Sequence, residues 1–65
     1  MESQPFPCLL RSLREQAGLS VAQLAVKAGL RRETIHRYEA GEREPSLVGL
    51  KRLARGLGVS LAAFE

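Results

Sequence analysis

The chain lacks most of the residues from which reactive or cross-linked sites are built. Among its 65 residues there is one cysteine, Cys8. A lone thiol makes no intrachain disulfide, and no Cys/His cluster stands at a spacing that holds a structural metal. Cys8 is read as a filler on the first helix, without a function. The single histidine, His36, has no second histidine or carboxylate placed to make it catalytic. No nucleophile–base pair and no phosphate-cradling loop is present, so neither a reaction nor a cofactor is expected. Three aromatics, Phe6, Tyr38 and Phe64, leave the core to aliphatic side chains. No apolar run approaches the ~20 residues of a membrane span. Residues Met1 to Pro7 have neither the basic start nor the apolar stretch of a signal peptide. The expectation is an intracellular protein that is neither an enzyme nor bound to a membrane.

What is present is a plain globular composition. Hydrophobic residues make up 45% of the chain, mostly Leu, Ala and Val. That supports a single domain over residues 1–65 with one modest core, since a domain of this size buries only about 60% of the surface its unfolded chain exposes. Ten basic residues against seven acidic ones give a net charge of +3. All but Lys27 and Lys51 of the basic residues are arginines. The planar arginine fork suits phosphate and guanine, but a GC-rich genome also raises arginine content. Charge alone therefore leaves the function open.

Apolar spacing and punctuation divide the chain into five short helices, at about 6–17, 21–28, 31–39, 47–57 and 61–64. Phe6, Leu10, Leu13 and Ala17 recur at helical intervals, with Pro5 and Pro7 where a first turn tolerates proline. Gly18 stops that helix. Ser20 is an N-cap with Gln23 three residues on, the pattern of a capping box. Gly29 ends the second helix, and Ala40 and Gly41 close the third. Ser46 caps the fourth after Pro45, and Leu47, Leu50, Leu53, Ala54 and Leu57 mark its buried stripe. Gly58 stops it, and Ser60 caps a last short segment. No stretch alternates with period two, so no strand is expected.

The informative part is Ser20 to Gly41. Two helices of eight or nine residues flank Gly29-Leu30, and glycine takes the positive φ that a sharp reversal needs. Leu24 and Ala25 face inward from the first helix, and Ile35 and Tyr38 from the second. Two such helices crossing steeply form a helix-turn-helix unit. With Ile35 inward, Glu33 and Arg37 point almost directly outward at 100° per residue. Arg32 and His36 flank them on one side and Thr34 on the other.

The positions Leu13-Arg14, Gly18-Leu19-Ser20, Leu24-Ala25, Ala28-Gly29, Thr34-Ile35, Tyr38-Glu39, Gly41, Pro45-Ser46 and Gly58-Val59 carry a resemblance. From Leu10 to Phe64 the chain resembles the phage repressor and Cro-type helix-turn-helix family, also called the xenobiotic-response-element family. The resemblance implies an all-α, compact five-helix domain of the lambda-repressor-like type with a central helix-turn-helix. It implies sequence-specific binding of duplex DNA by the helix at 31–39 in the major groove, and a transcriptional regulator, more often a repressor than an activator. Arg32, Glu33 and Arg37 match the base-reading positions. Arginine bonds guanine O6 and N7, and glutamate accepts from cytosine N4. Arg31 also matches the base-contacting end of that helix, with Thr34 and His36 at the edges; from their places at the helix ends, Arg31 and Arg43, with Ser20, are expected at phosphates or at the edge of the contact. A Glu33–Arg37 surface ion pair, four residues apart, is the alternative use of those two side chains. In the family, the glutamate matching Glu39 pairs with the arginine matching Arg14, which implies a partly buried strut between the first and third helices.

Two positions depart from the family pattern. Val21 stands where a phosphate-reaching Gln is frequent, and Arg31 where a Ser or Thr cap is frequent. From Arg31 to Glu44 four arginines meet four glutamates, so the local charge is zero. Binding by one copy should be weak, and two copies on a palindromic site, one helical turn apart, would compensate. The end of the chain, with Leu61 and Phe64, is either the pairing surface or ordinary core. The competing function is a protein-interaction module of the same fold, antitoxin-like or regulator-binding, with weak DNA contact. The DNA reading implies a cytoplasmic, nucleoid-associated protein. A fragment of a longer sensor remains a further alternative.

Overall fold

A computed structural model describes residues 4–64. Residues 1–3 and Glu65, which belong to the single-domain expectation over 1–65, lie outside the described part. Four α-helices follow one another: α1 (Phe6–Gln16), α2 (Val21–Ala28), α3 (Arg32–Glu39) and α4 (Leu47–Leu57). A 3-10 turn, Leu61–Phe64, closes the described chain. The described residues contain no strand.

The helix starts follow local chemistry. Pro7 sits in the first turn of α1, where its missing N–H costs nothing. At α2 the Ser20 hydroxyl oxygen accepts from the Gln23 amide at 3.1 Å, and the Gln23 side chain accepts from the Ser20 amide at 2.8 Å. Both bonds of a capping box are therefore made. At α4 the Ser46 hydroxyl oxygen accepts from the Gly49 amide at 3.2 Å. The ends of α2 and α4 use the same closure. Gly29 and Gly58 take φ of +67° and +73°. The chain then folds back, so that Leu30 donates to Ala25 O at 2.9 Å and Val59 to Ala54 O at 3.0 Å. Carbonyls that a helix end leaves free are satisfied in this way.

One side chain from each helix meets at the centre. Leu10, Leu24, Ile35 and Leu53 are all fully buried. Ala25, Ala28, Tyr38 and Leu57 surround them. The small residues set the helix spacing. α4 packs mainly on α2, and there Gly56 lies directly against Ala28. A Cβ at Gly56 would come within 3.0 Å of the Ala28 nitrogen and 3.1 Å of its Cα. α3 rests on α1 and α2.

Four sequence expectations are corrected, one being that Leu47, expected in the buried stripe of the fourth helix, is exposed in its first turn. The expected fifth helix at 61–64 is a 3-10 turn, so the domain has four α-helices, not five. Four residues are too few to propagate an α-helix, and the turn is closed by an i→i+3 bond from Ala63 to Ser60 O at 3.0 Å. The Ser60 carbonyl, not its hydroxyl, makes that bond. The first helix ends at Gln16, with Ala17 as its cap. The third begins at Arg32, because Arg31 has extended angles (φ −82°, ψ 151°) and is the N-cap. Phe64 and Leu61 have different fates. Phe64 packs on Phe6 with ring centroids 5.7 Å apart, whereas Leu61 is exposed.

Candidate nucleic-acid interface

The turn between α2 and α3 is built on Gly29. Its left-handed conformation reverses the chain within three residues, so α3 starts almost at once after α2. Ile35 and Tyr38 then pin α3 to the core. Tyr38 meets Phe6 edge to face, with centroids 6.3 Å apart and planes at 75°. Because Ile35 is buried, the opposite side of α3 faces solvent. Arg32, Glu33, His36 and Arg37 are exposed there, and Thr34 is half-buried at the margin. Arg31 and Arg43 are exposed at either end of the helix.

None of these side chains is occupied by an ion pair. Among the described residues the ion pairs are Arg11–Glu15 and Arg14–Glu39. Glu33 and Arg37 are therefore unpaired, although their spacing permits a bond. Holding two long exposed side chains in one geometry costs about as much entropy as the pair returns in water. Arg31 makes no capping bond, so the first turn of α3 has no side-chain cap. The Thr34 amide donates to the Arg31 carbonyl at 3.1 Å, and the positive end of the helix dipole there favours an anion. Ser20 is exposed at the start of α2. Its oxygen already accepts from Gln23, which leaves the hydroxyl hydrogen free to donate. Val21 is half-buried and packs against the core, so it contributes packing at that helix start.

Behind α3 stands a clamp. The Arg14 Nε donates to Glu39 Oε2 at 2.8 Å and its Nη2 to Glu39 Oε1 at 3.1 Å. Its Nη1 donates to the Leu19 carbonyl at 2.9 Å. The side chains are 13% and 12% exposed. The bond to Glu39 raises the Arg14 pKa above its ordinary value, against an opposing effect of burial. One guanidinium thus joins α1, the α1–α2 turn and the last residue of α3. With Glu39 neutralised by Arg14, the stretch Arg31 to Glu44 presents four arginines against Glu33, Glu42 and Glu44.

The profile of the family described as Helix-turn-helix matches residues 10–64. The chain belongs to the XRE-type helix-turn-helix family. Members of that family are DNA-binding transcriptional regulators and not enzymes. An HTH-type transcriptional regulatory protein of Pyrobaculum aerophilum is 47% identical over 49 residues, or 75% of this chain. The chain spans only 20% of that relative's length. An HTH-type transcriptional regulator of Methanothermobacter thermautotrophicus is 42% identical over 50 residues, 77% of this chain and 72% of its own length. Among solved structures, the restriction-modification controller protein C.AhdI from Aeromonas hydrophila superposes with a TM-score of 0.89 at 37% identity. The match covers 92% of this chain and 91% of that one.

Two contacts that support the helix-turn-helix had no reading in the sequence. Arg52 on α4 donates to the Gly29 carbonyl at 3.2 Å and so ties α4 to the turn itself. Its partner is 23 residues away, and no local pattern announces it. The Gly56–Ala28 contact was also missed. A glycine in the last turn of a helix, ahead of the glycine that closes it, is the one signal that could have found it.

Proposed function

We propose that this helix-turn-helix chain binds duplex DNA in a sequence-specific way and regulates transcription, with α3 in the major groove. The observation that carries this is the outer face of α3. Its arginines have no partner within the described protein, its first turn has no cap, and its far end is clamped from behind. Arg32 and Arg37 read guanines, and Glu33 reads a cytosine. Arg31, Arg43, Ser20, Thr34 and His36 hold phosphates or the groove edge. The likeness to a controller protein supports a regulatory role. Repression is the simpler sign of regulation, because it needs only occupancy of a promoter, whereas activation needs a further favourable contact with the transcription machinery. Under this reading the protein works on the nucleoid, in the cytoplasm.

The small charge surplus of the interface argues for two copies. Each neutralised phosphate adds a steep salt dependence, and one copy with four arginines and three unpaired carboxylates engages few of them. The longest dimension of the domain is 33 Å, close to the ~34–36 Å between half-sites one helical turn apart. Two copies therefore fit side by side on a palindrome. Selection of bound sites from a random duplex pool tests binding, base preference and half-site spacing together. Titration of the selected site at two salt concentrations should show affinity falling with a log–log slope of about −0.9 per phosphate engaged. Absence of binding even at low salt would overturn the reading.

A further inference from the structure

The net positive charge does not reside on the recognition helix. From Gly18 to Leu30, and again from Pro45 to Phe64, there is no carboxylate. Those two segments contain α2 and α4, which pack on each other. They carry Lys27, Lys51, Arg52 and Arg55, all exposed. Lys51, Arg52 and Arg55 are three and four apart and share the outer face of α4. The bland account is that Lys27 and Arg55, each in a last turn, offset a helix dipole. The bonds that follow Gly29 and Gly58 already close those helix ends, and neither side chain makes a hydrogen bond or ion pair among the described residues.

The surface around these cations is shaped. A cleft of about 360 Å3 lies between the ends of α2 and α4. Lys27 and Arg55 line it, with Leu19, Gly56 and Leu57. Lys27 also lines an adjoining groove of about 350 Å3 beside Gln23 and Val26. Val26 is 83% exposed, the most exposed large hydrophobic residue of the described chain. A phosphate backbone fits a ridge of cations, and gains nothing from the exposed apolar surface around Val26. A protein segment bearing carboxylates beside an apolar side chain meets both features: its charges answer Lys27 and Arg55, and its apolar group fills a cleft.

We propose that the α2–α4 face is a second binding surface, which docks an acidic, partly apolar segment of another protein around Lys27 and Arg55. None of the residues that line it is among those assigned to DNA. The inference stands apart from the DNA reading, because its support is read from peptide binding alone, and the peptide titration contains no nucleic acid.

The test uses the full chain labelled with nitrogen-15 and a blocked peptide of repeated Leu-Glu-Glu, with Leu-Lys-Lys and Gly-Glu-Glu peptides as controls. The Leu-Glu-Glu peptide should shift the amides of Leu19, Val26, Lys27 and Arg55 to Gly58, and leave those of Arg32 to Arg37 in place. Gly-Glu-Glu should bind more weakly and Leu-Lys-Lys not at all. K27E/R55E, which changes two exposed residues, should keep the folded amide spectrum and lose at least about tenfold in peptide affinity. No shift with Leu-Glu-Glu, or shifts confined to α3, would overturn the proposal. Equal binding of the peptide by K27E/R55E would do the same. A duplex of random sequence that shifts the α2–α4 amides would reassign the face to nucleic acid. Self-association of the free chain abolished by K27E/R55E would reassign it to a contact between copies.

Discussion

Replacing Gly56 with alanine sets two effects of known size against each other. In an ordinary helix interior, alanine is favoured over glycine by about 1 kcal/mol. Gly56 is not in an ordinary place. The added methyl would lie 3.0 Å from the Ala28 nitrogen, 3.1 Å from its Cα and 3.1 Å from its Cβ. Carbon contacts are comfortable at ~3.5–4.0 Å, so the shortfall is about half an ångström. Two of the three atoms are backbone, which cannot rotate away. α2 must therefore move off α4, and overpacking of this kind costs about 1–3 kcal/mol. The clash wins, and the expected net loss is about 1 kcal/mol. For a domain of this size that lowers Tm by about 4–8 °C. Thermal unfolding followed by far-UV circular dichroism measures it directly. A Gly56→Ala protein that melts higher than the parent would show that α2 and α4 are not held at this spacing.

Glu39→Gln keeps the side-chain shape but removes the counter-charge to Arg14, which keeps its bond to Leu19 and at most one bond to the glutamine oxygen. Breaking a deeply buried pair costs about 3–5 kcal/mol; with these bonds kept and some solvent access, about 2–3 kcal/mol is expected here, and an unchanged Tm would refute the clamp. Ser20→Ala removes one half of a capping box and should cost about 1 kcal/mol, while Ser20→Gly, a residue tolerated at an N-cap, should cost only a few tenths; an unchanged denaturant midpoint in Ser20→Ala would refute the cap. In the random-duplex selection, Arg37→Ala should relax preference at one base position at a cost of about 1–3 kcal/mol for the preferred site. Arg43→Ala should weaken all sites alike and reduce the salt slope by about one phosphate; the reverse pattern would exchange the two roles.

The parts legible in the sequence were those governed by local chemistry. The boundaries of α2 and the start of α4 follow from Ser20, Gln23, Gly29 and Ser46, whose side chains or backbone conformations act within a few residues. The outward face of α3 follows from the buried Ile35 and the helical period. The turn at 61–64 was misread because a capping serine and an apolar run do not say how many turns follow. Arg31 was misread because a helix boundary shifts by a residue when no side chain caps it. Spacing allowed a Glu33–Arg37 pair but could not weigh its entropy. The Arg52 bond and the Gly56 contact depend on how α4 crosses α2, which no local pattern specifies. The roles of Arg32, Glu33 and Arg37 at bases rest on the family resemblance and on their exposure, and await the selection experiment.

The clamp at Glu39 makes α3 a lever. Its fixed end is the last residue of the helix, and its eight residues reach about 12 Å to the other end. A tilt of about 5° at the clamp would swing Arg32 by about 1 Å, enough to break a bidentate bond to a base, whose donor–acceptor distance tolerates only a few tenths of an ångström. A charge on a phosphate is far less sensitive to such a displacement. Under the proposed DNA reading, Arg14 and Arg52, neither on α3, would govern the fidelity of reading more than the strength of holding. In a survey of this chain's arginines by binding alone they would pass for DNA contacts, and would be told apart by lost selectivity with an unchanged salt slope.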